Sequence, residues 1–277
     1  MIKVTADKCL PKAARSRPML YRVVSLEDVT PNLRVVRLGM VGRAPFRFAA
    51  GQYAKLAFGD QRPRDFSIAS RPDEPELEFH VRHSNGGGAS AYIARHLRVG
   101  DGVWVEGPYG DAWLRADHSG PILAIAGGSG LAPVKSIVET ALLAGRHADI
   151  SLYFGARDCP DLYLDRHFRR LVQRHKNFRY IPVLSEPRAP TTCRVGMVTD
   201  AVAADLCSCT GLKAYIAGPP AMIGAAIGLL SSLGIERADI HTDLLPVVVS
   251  SASERPVSLA PHREAICPAA ASVSSGT

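Results

Sequence analysis

No apolar run in these 277 residues reaches the ~20 that a membrane-spanning helix needs. The amino-terminal stretch has no apolar signal core either, because Lys3, Asp7, Lys8 and Lys12 interrupt it. The expectation is a globular, cytoplasmic protein with no membrane contact. The 6 cysteines (Cys9, Cys159, Cys193, Cys207, Cys209 and Cys267) form no C-x-x-C pair. That removes the usual zinc and iron–sulfur spacings, so no metal site is expected. They read as free thiols of a reducing compartment. Charge of one sign is never gathered into a run. The net charge of +7 is spread along the chain, and nothing matches a nucleic-acid-binding module. A docking surface for an acidic protein is compatible with that balance, and so is plain solubility. The dinucleotide fingerprint G-x-G-x-x-G is missing as well, since Pro133 stands where its third glycine would fall.

What is present begins with length. A chain of 277 residues suits two domains of ~100–150 residues each. The strongest single stretch is PILAIAGGSGLAPVKSIVETALLAG, from Pro121 to Gly145. Ile122 to Ala126 read as a strand buried on both faces. Gly127, Gly128, Ser129 and Gly130 follow. Pro133 then sits in a first helical turn, where no backbone donor is needed. Val134, Ile137, Val138, Ala141 and Leu142 recur at helical spacing. Strand, glycine turn and helix together leave backbone amides facing an anion such as a pyrophosphate. A plain tight turn of any α/β domain would look the same.

From Met19 to about Arg115 the texture is short and alternating. Tyr21–Leu26, Leu33–Leu38, Gly51–Phe58, Leu77–Arg82 and Gly102–Glu106 read as strands separated by turn residues. This predicts a small antiparallel barrel over residues 19–116. One short helix, from about Ala89 to Leu97, interrupts it. Gly86, Gly87 and Gly88 precede that helix and Ser90 lies in its first turn, which makes a second candidate phosphate cradle or a flexible hairpin loop. Residues 117–246 alternate strand and helix, which predicts a doubly wound parallel sheet with ligands at the carboxyl ends of its strands. In that half the run from Tyr163 to His175 reads as an amphipathic helix, with Leu164, Phe168, Leu171 and Val172 inward and Arg166, Arg169, Arg170 and Arg174 outward. Residues 1–18 read as a basic linker or tail. Residues 247–277, rich in Ser, Ala and Pro, read as a disordered tail.

One tetrapeptide in the barrel matters once a nucleotide is suspected: Arg64-Asp65-Phe66-Ser67. An arginine holds pyrophosphate bidentately, an aromatic stacks on a planar ring, and a hydroxyl reaches a ring nitrogen. An ordinary strand with one exposed arginine and one core Phe fits these residues equally. In order along the chain stand R-x-[FY]-S, a glycine–serine helix entry, G-G-x-G-x-A-P and a late G-x-P-x-M. Together they resemble the ferredoxin–NADP reductase family over about residues 19–245. Within it, GQYAKLAF, LEFHVR, ILAIAGGSGLAPVKSIV, YFGAR…DLY and AGPPAM are similar to the reductase components of bacterial aromatic-ring dioxygenases of the naphthalene dioxygenase type.

The resemblance implies an FAD-dependent NAD(P)H oxidoreductase. Arg64 would bind the flavin pyrophosphate, Phe66 would stack on the isoalloxazine and Ser67 would bond near its N5; these last two are the candidate catalytic residues. His80, Val81 and Arg82 would lie along the adenylate half of FAD, with Gly87, Gly88 and Ser90 at its phosphates. Gly128, Ser129, Gly130 and Pro133 would cradle the nicotinamide nucleotide. Arg157 and Asp158 would face its adenosine ribose, and Gly218, Pro219 and Met222 would border the nicotinamide pocket. NADH is expected because Asp158 opposes a 2′-phosphate, with NADPH possible. The implied partner is a separate plant-type or Rieske-type ferredoxin, or an oxygenase component.

Three departures from the family pattern stand out. Ala217 occupies a place where many members of the family it resembles carry Cys. Asp243-Leu244-Leu245-Pro246 offers no aromatic to cover a flavin. No C-x4-C-x2-C occurs, so the built-in ferredoxin domain of such reductases is absent from this sequence. That fits either a truncation or a reductase served by a separate ferredoxin. A free flavin reductase and the flavin subunit of a larger electron-transfer complex remain as rival readings.

Overall fold

In the computed structural model, residues 17–42, 45–83, 88–206 and 209–242 are described. The first six strands are β1 (Met19–Thr30), β2 (Leu33–Met40), β3 (Tyr53–Phe58), β4 (Arg64–Ser67), β5 (Glu76–Arg82) and β6 (Gly102–Tyr109), with helix α1 (Ala89–Arg95) between the last two. They form one antiparallel sheet in the order β4-β3-β6-β1-β2-β5. Its two edge strands, β4 and β5, are brought together by a bridge between Ile68 and Phe79 and by the Ala69 N–H donating to the Glu78 carbonyl at 2.7 Å. This closes the sheet on itself. Alternation drives the closure: Val23, Val36, Leu38, Leu56, Phe58, Phe79, Val103 and Val105 meet in a single buried cluster. β1 runs well beyond the expected Tyr21–Leu26, because register shifts between Val23 and Ser25 and between Asp28 and Thr30 let one strand bend around the barrel.

The second half contains β7 (Ile122–Gly127), α2 (Leu131–Leu143), β8 (Ile150–Ala156), α3 (Asp165–Arg174), β9 (Phe178–Leu184), β10 (Arg194–Val195), α4 (Val198–Asp205), β11 (Lys213–Ala217), α5 (Pro220–Ser232) and β12 (Ile240–Thr242). All six strands are parallel, in the order β10-β9-β8-β7-β11-β12. β7 is buried at every position. Its even-numbered residues Ile122, Ala124 and Ala126 pack with α2 and with Phe168 of α3. Its odd-numbered Leu123 and Ile125 pack with α4 and α5 on the other face. The sheet is therefore covered on both sides, as a parallel sheet requires. Strand order reverses between β7 and β11, which opens a crevice at their carboxyl ends.

Two details differ from the sequence reading. α3 starts at Asp165, not Tyr163, because Leu164 takes a left-handed conformation with φ 61. Val172, expected inward, is 39% exposed, and Phe168 alone of the four is fully buried. Among the described residues no helix is long and apolar enough to cross a membrane. Gly87, Cys207, most of the 1–18 stretch and the whole of 243–277 lie outside the described residues.

Candidate functional site

The alternation of β5 sets the site. Leu77, Phe79 and Val81 point into the barrel core, so Glu78, His80 and Arg82 point out of it, toward the parallel sheet. Glu78 Oε2 pairs with Arg37 at 2.9 Å, and its Oε1 lies 2.9 Å from His80 Nε2 and 3.4 Å from Lys135 Nζ. Lys135, on α2, also reaches Glu139 at 3.4 Å and donates to the Ala69 carbonyl at 3.2 Å. Glu139 in turn receives His167 at 2.6 Å. Ser136 donates to the Ser70 carbonyl at 2.7 Å. Burial alone would raise the Glu78 carboxyl. The His80 hydrogen bond and the Lys135 and Arg37 charges outweigh it, and hold the group well below the usual carboxylate range. Burial pushes the His80 imidazole down, and the Glu78 contact does not compensate. A buried, charged seam thus joins the barrel to α2.

That seam leads into a cavity of about 500 Å³. Its wall includes Gly127, Gly128 and Ser129 from the end of β7, Gly155 to Asp158 from the end of β8, and Ser185, Glu186 and Arg188 from the end of β9. Pro219 and Met222 close it from the start of α5, and Thr30, Asn32 and Arg82 contribute from the barrel. The glycines are there for space. A Cβ on Gly130 would sit 2.3 Å from the Ala217 carbonyl oxygen, and one on Gly127 2.7 Å from Met222 Sδ. Gly128 takes φ +54, and a Cβ there would still lie 3.6 Å from Arg82 Nη1. Arg82 and the glycine turn therefore face one another across the domain boundary. Tyr163, buried at the cavity wall, has its hydroxyl 3.0 Å from His80 Nδ1 and 3.2 Å from the Gly128 carbonyl oxygen.

Arg157 and Asp158 both line the cavity. The Asp158 carboxylate is already committed to the backbone: Oδ1 accepts from Cys159 N at 2.8 Å and from Arg188 N at 3.3 Å. Arg188 Nε lies 4.0 Å from Oδ2, with its side chain 91% exposed.

The tetrapeptide of β4 lies outside this cavity. Arg64 is exposed and Ser67 half-buried. Phe66 is half-buried against the barrel core, edge-on to Phe58 with ring centroids 6.2 Å apart. Among the described residues, the ladder pairing of β4 beyond the Ile68–Phe79 bridge is with β3 and that of β5 is with β2. No ladder pairing therefore joins Arg64–Ser67 to Val81 and Arg82. Gly88, with φ +88, and Ser90 stand at the entry of α1. The side chains of His80 and Val81 are closed off, His80 in the ion seam and Val81 in the barrel core. Pro133 and Gly130 support the turn from behind, and neither lines the cavity.

Comparison with known proteins follows the same division. Residues 21–113 match the oxidoreductase FAD-binding domain family and residues 124–227 the oxidoreductase NAD-binding domain family. The chain is 38% identical over 221 residues to the ferredoxin–NAD(P)+ reductase component of the naphthalene 1,2-dioxygenase system of Pseudomonas putida, covering 80% of this chain and 67% of the relative. It belongs to the ferredoxin–NAD(P)+ reductase family. The reductase component shared by the naphthalene 1,2-dioxygenase and salicylate 5-hydroxylase systems of a Ralstonia species matches with the same identity and coverage. Among solved structures, the cytochrome P450 reductase GcoB of Amycolatopsis superposes with a TM-score of 0.77 at 34% identity, covering 83% of this chain and 71% of that one. The chain thus spans about two-thirds of the length of these reductases.

Sequence reasoning missed Ser185, Glu186 and Arg188, although the carboxyl-end rule for parallel strands points to whatever follows β9. Thr30 and Asn32 were visible only as a hairpin turn. Tyr163 carried no signal of its own beyond the DLY string.

Proposed function

We propose that this reductase binds a nicotinamide nucleotide in the cavity at the ends of β7, β8 and β11, and FAD along the unpaired stretch between β4 and β5. It passes the electrons to a plant-type or Rieske-type ferredoxin, or to an oxygenase component of a ring-hydroxylating system. Flavin, when bound, accepts a hydride and releases electrons singly. The protein's part is holding and orienting. Arg64 offers a guanidinium to a pyrophosphate, Ser67 a hydroxyl beside the ring, and Phe66 its half-open face. The glycine turn supplies backbone amides at the entry of α2, where negative charge is favoured. The folding units assigned to these tasks are residues 19–116 and 117–246.

One observation carries this reading. β5, which borders the proposed flavin region, ends with Arg82 directly opposite Gly128 of the nucleotide turn, so the two binding regions share a wall. Arg157 and Asp158 face the expected adenosine ribose. The Asp158 carboxylate there favours NADH, and the neighbouring Arg157 and Arg188 leave NADPH usable. Arg166 and Arg170 are exposed on α3, while Arg169 is paired with Asp165 at 2.7 Å; the first two are the better docking charges for an acidic carrier. The free thiols of Cys159, Cys193 and Cys209 suit a cytoplasmic setting.

A visible spectrum of the dialysed protein tests the assignment, with retained FAD expected at one per chain. Loss of all flavin on dialysis, with turnover restored by added FMN or riboflavin, identifies a free flavin reductase instead. Steady-state rates should favour NADH, and a tenfold preference for NADPH would overturn the nucleotide assignment.

A further inference from the structure

The seam between barrel and α2 contains a proton count that does not close. Glu78 is a carboxylate held by Arg37 and Lys135, so it only accepts. Its 2.9 Å contact with His80 therefore requires the hydrogen on Nε2. In a neutral ring Nδ1 is then bare and must itself accept, and its partner among the described residues is the Tyr163 hydroxyl at 3.0 Å. That hydroxyl has a single hydrogen, yet it also lies 3.2 Å from the Gly128 carbonyl. It serves one or the other. With a neutral imidazole the phenol donates to His80, and the Gly128 carbonyl stays open. With a second proton on the ring, Nδ1–H donates to the phenol oxygen, and the phenol hydrogen turns to Gly128.

We propose that Tyr163 is a positioning residue for the nucleotide turn, and that the charge of His80 decides whether its hydroxyl ties up the Gly128 carbonyl. Both Gly128 and Tyr163 line the cavity; a carbonyl oxygen has two lone pairs, so a hydrogen-bond donor on the nucleotide meets the full acceptor while His80 is neutral and a weaker one, already sharing the phenol hydrogen, once His80 is charged. Every packed element contributes to that charge. Glu78 of β5 and Glu139 of α2 favour the imidazolium, whereas burial and Lys135 oppose it. Arg37 of β2 acts through Glu78, and His167 of α3 with Arg71 act through Glu139. Tyr163 itself stays a phenol, since burial and the Glu78 charge both raise it.

The inference rests on the cavity being the nucleotide site, and the test separates the two. NAD+ binding to the FAD-loaded chain is measured calorimetrically from pH 8 down to about 5, reaching below the ordinary imidazole range because burial lowers His80, for the wild type, Tyr163→Phe and His80→Gln. Wild-type affinity should fall about 5-fold as His80 charges, roughly the worth of one neutral hydrogen bond. Both variants should be flat with pH, the first because no phenol competes, the second because the amide cannot charge. Nitrogen-15 imidazole spectra should show His80 neutral at pH 8 with its hydrogen on Nε2. A flat wild-type profile, an unchanged slope in either variant, or the hydrogen on Nδ1 overturns the proposal. Absence of NAD+ binding at every pH overturns the nucleotide reading of the cavity, and this inference with it.

Discussion

Asp158 does two jobs at once, and its substitutions separate them. Its carboxylate receives the backbone N–H of Cys159 and of Arg188, tying the loop after β9 to the end of β8. It also sets a negative charge beside Arg157 at the expected ribose, in a wall that Glu186 shares. Asp158→Asn keeps an acceptor for the two N–H groups but removes the charge. The expected outcome is unchanged thermal stability and an NADPH-to-NADH ratio of kcat/KM raised about tenfold, about 1.4 kcal/mol. Asp158→Ala should give the same shift with a measurable loss of melting temperature, since both backbone N–H groups lose their acceptor. Arg64 is simpler, being exposed at the start of β4. Arg64→Ala should weaken FAD binding by about 1.5–3 kcal/mol, the worth of a hydrogen bond to a charged group. Fluorescence of released flavin during dialysis reports it, and full retention would remove Arg64 from the flavin site.

At the scale of elements, the sequence was most legible where one face is buried and the other wet. β5 shows why the legibility stops. Its alternation announces that Leu77, Phe79 and Val81 belong together, but not what covers Glu78 and His80 on the other face. Their partners, Lys135 and Tyr163, lie far along the chain, and a buried ion seam leaves no local period. β10 is two exposed residues and has no pattern to read. The start of α3 was misjudged because the left-handed turn at Leu164 falls on a residue that rarely adopts it. The glycine turn, by contrast, was legible in position and only partly in cause. Gly130 has an ordinary helical φ of −61, so its need for glycine comes entirely from the Ala217 carbonyl against which it packs. Gly130→Ala puts a methyl 2.3 Å from that oxygen, and backbone on both sides resists. Overpacking of this kind costs about 1–3 kcal/mol. The variant should melt lower and bind nucleotide more weakly, with FAD retention unaffected, because the turn and β11 lie outside the barrel.

For the whole molecule, acid acts on histidines held uncharged. His241, stacked on Tyr215 at the end of β12, is pushed down to about 4 by burial and by the Arg115 and Lys213 charges. His80 is lowered by burial. Both are easier to protonate in the unfolded chain, where the imidazole titrates near 6.5. The unfolded state therefore binds more protons below that value, and stability falls with falling pH. Their contribution is complete above about pH 6.5 and is lost progressively toward pH 4. Glu78, held below the usual carboxylate range, adds a second loss once the pH drops below its unfolded value near 4.3. Melting temperature should be level from pH 7 to 8 and decline steadily from 6.5 downward. His241→Gln should flatten the upper part of that decline, and an unchanged slope would remove His241 as a cause.

The cavity wall draws Thr30 from the first hairpin and Met222 from the last long helix. During synthesis the barrel hairpin leaves the ribosome early, and β5 with its charged outer face follows. That face then waits, with Glu78 and His80 uncovered, until α2 has emerged. The nucleotide cavity waits longer, until α5 is out. Cofactor capture in the barrel can precede completion of the chain, whereas nucleotide binding cannot. An arrested nascent chain ending before β11 should therefore take up flavin and remain blind to NADH.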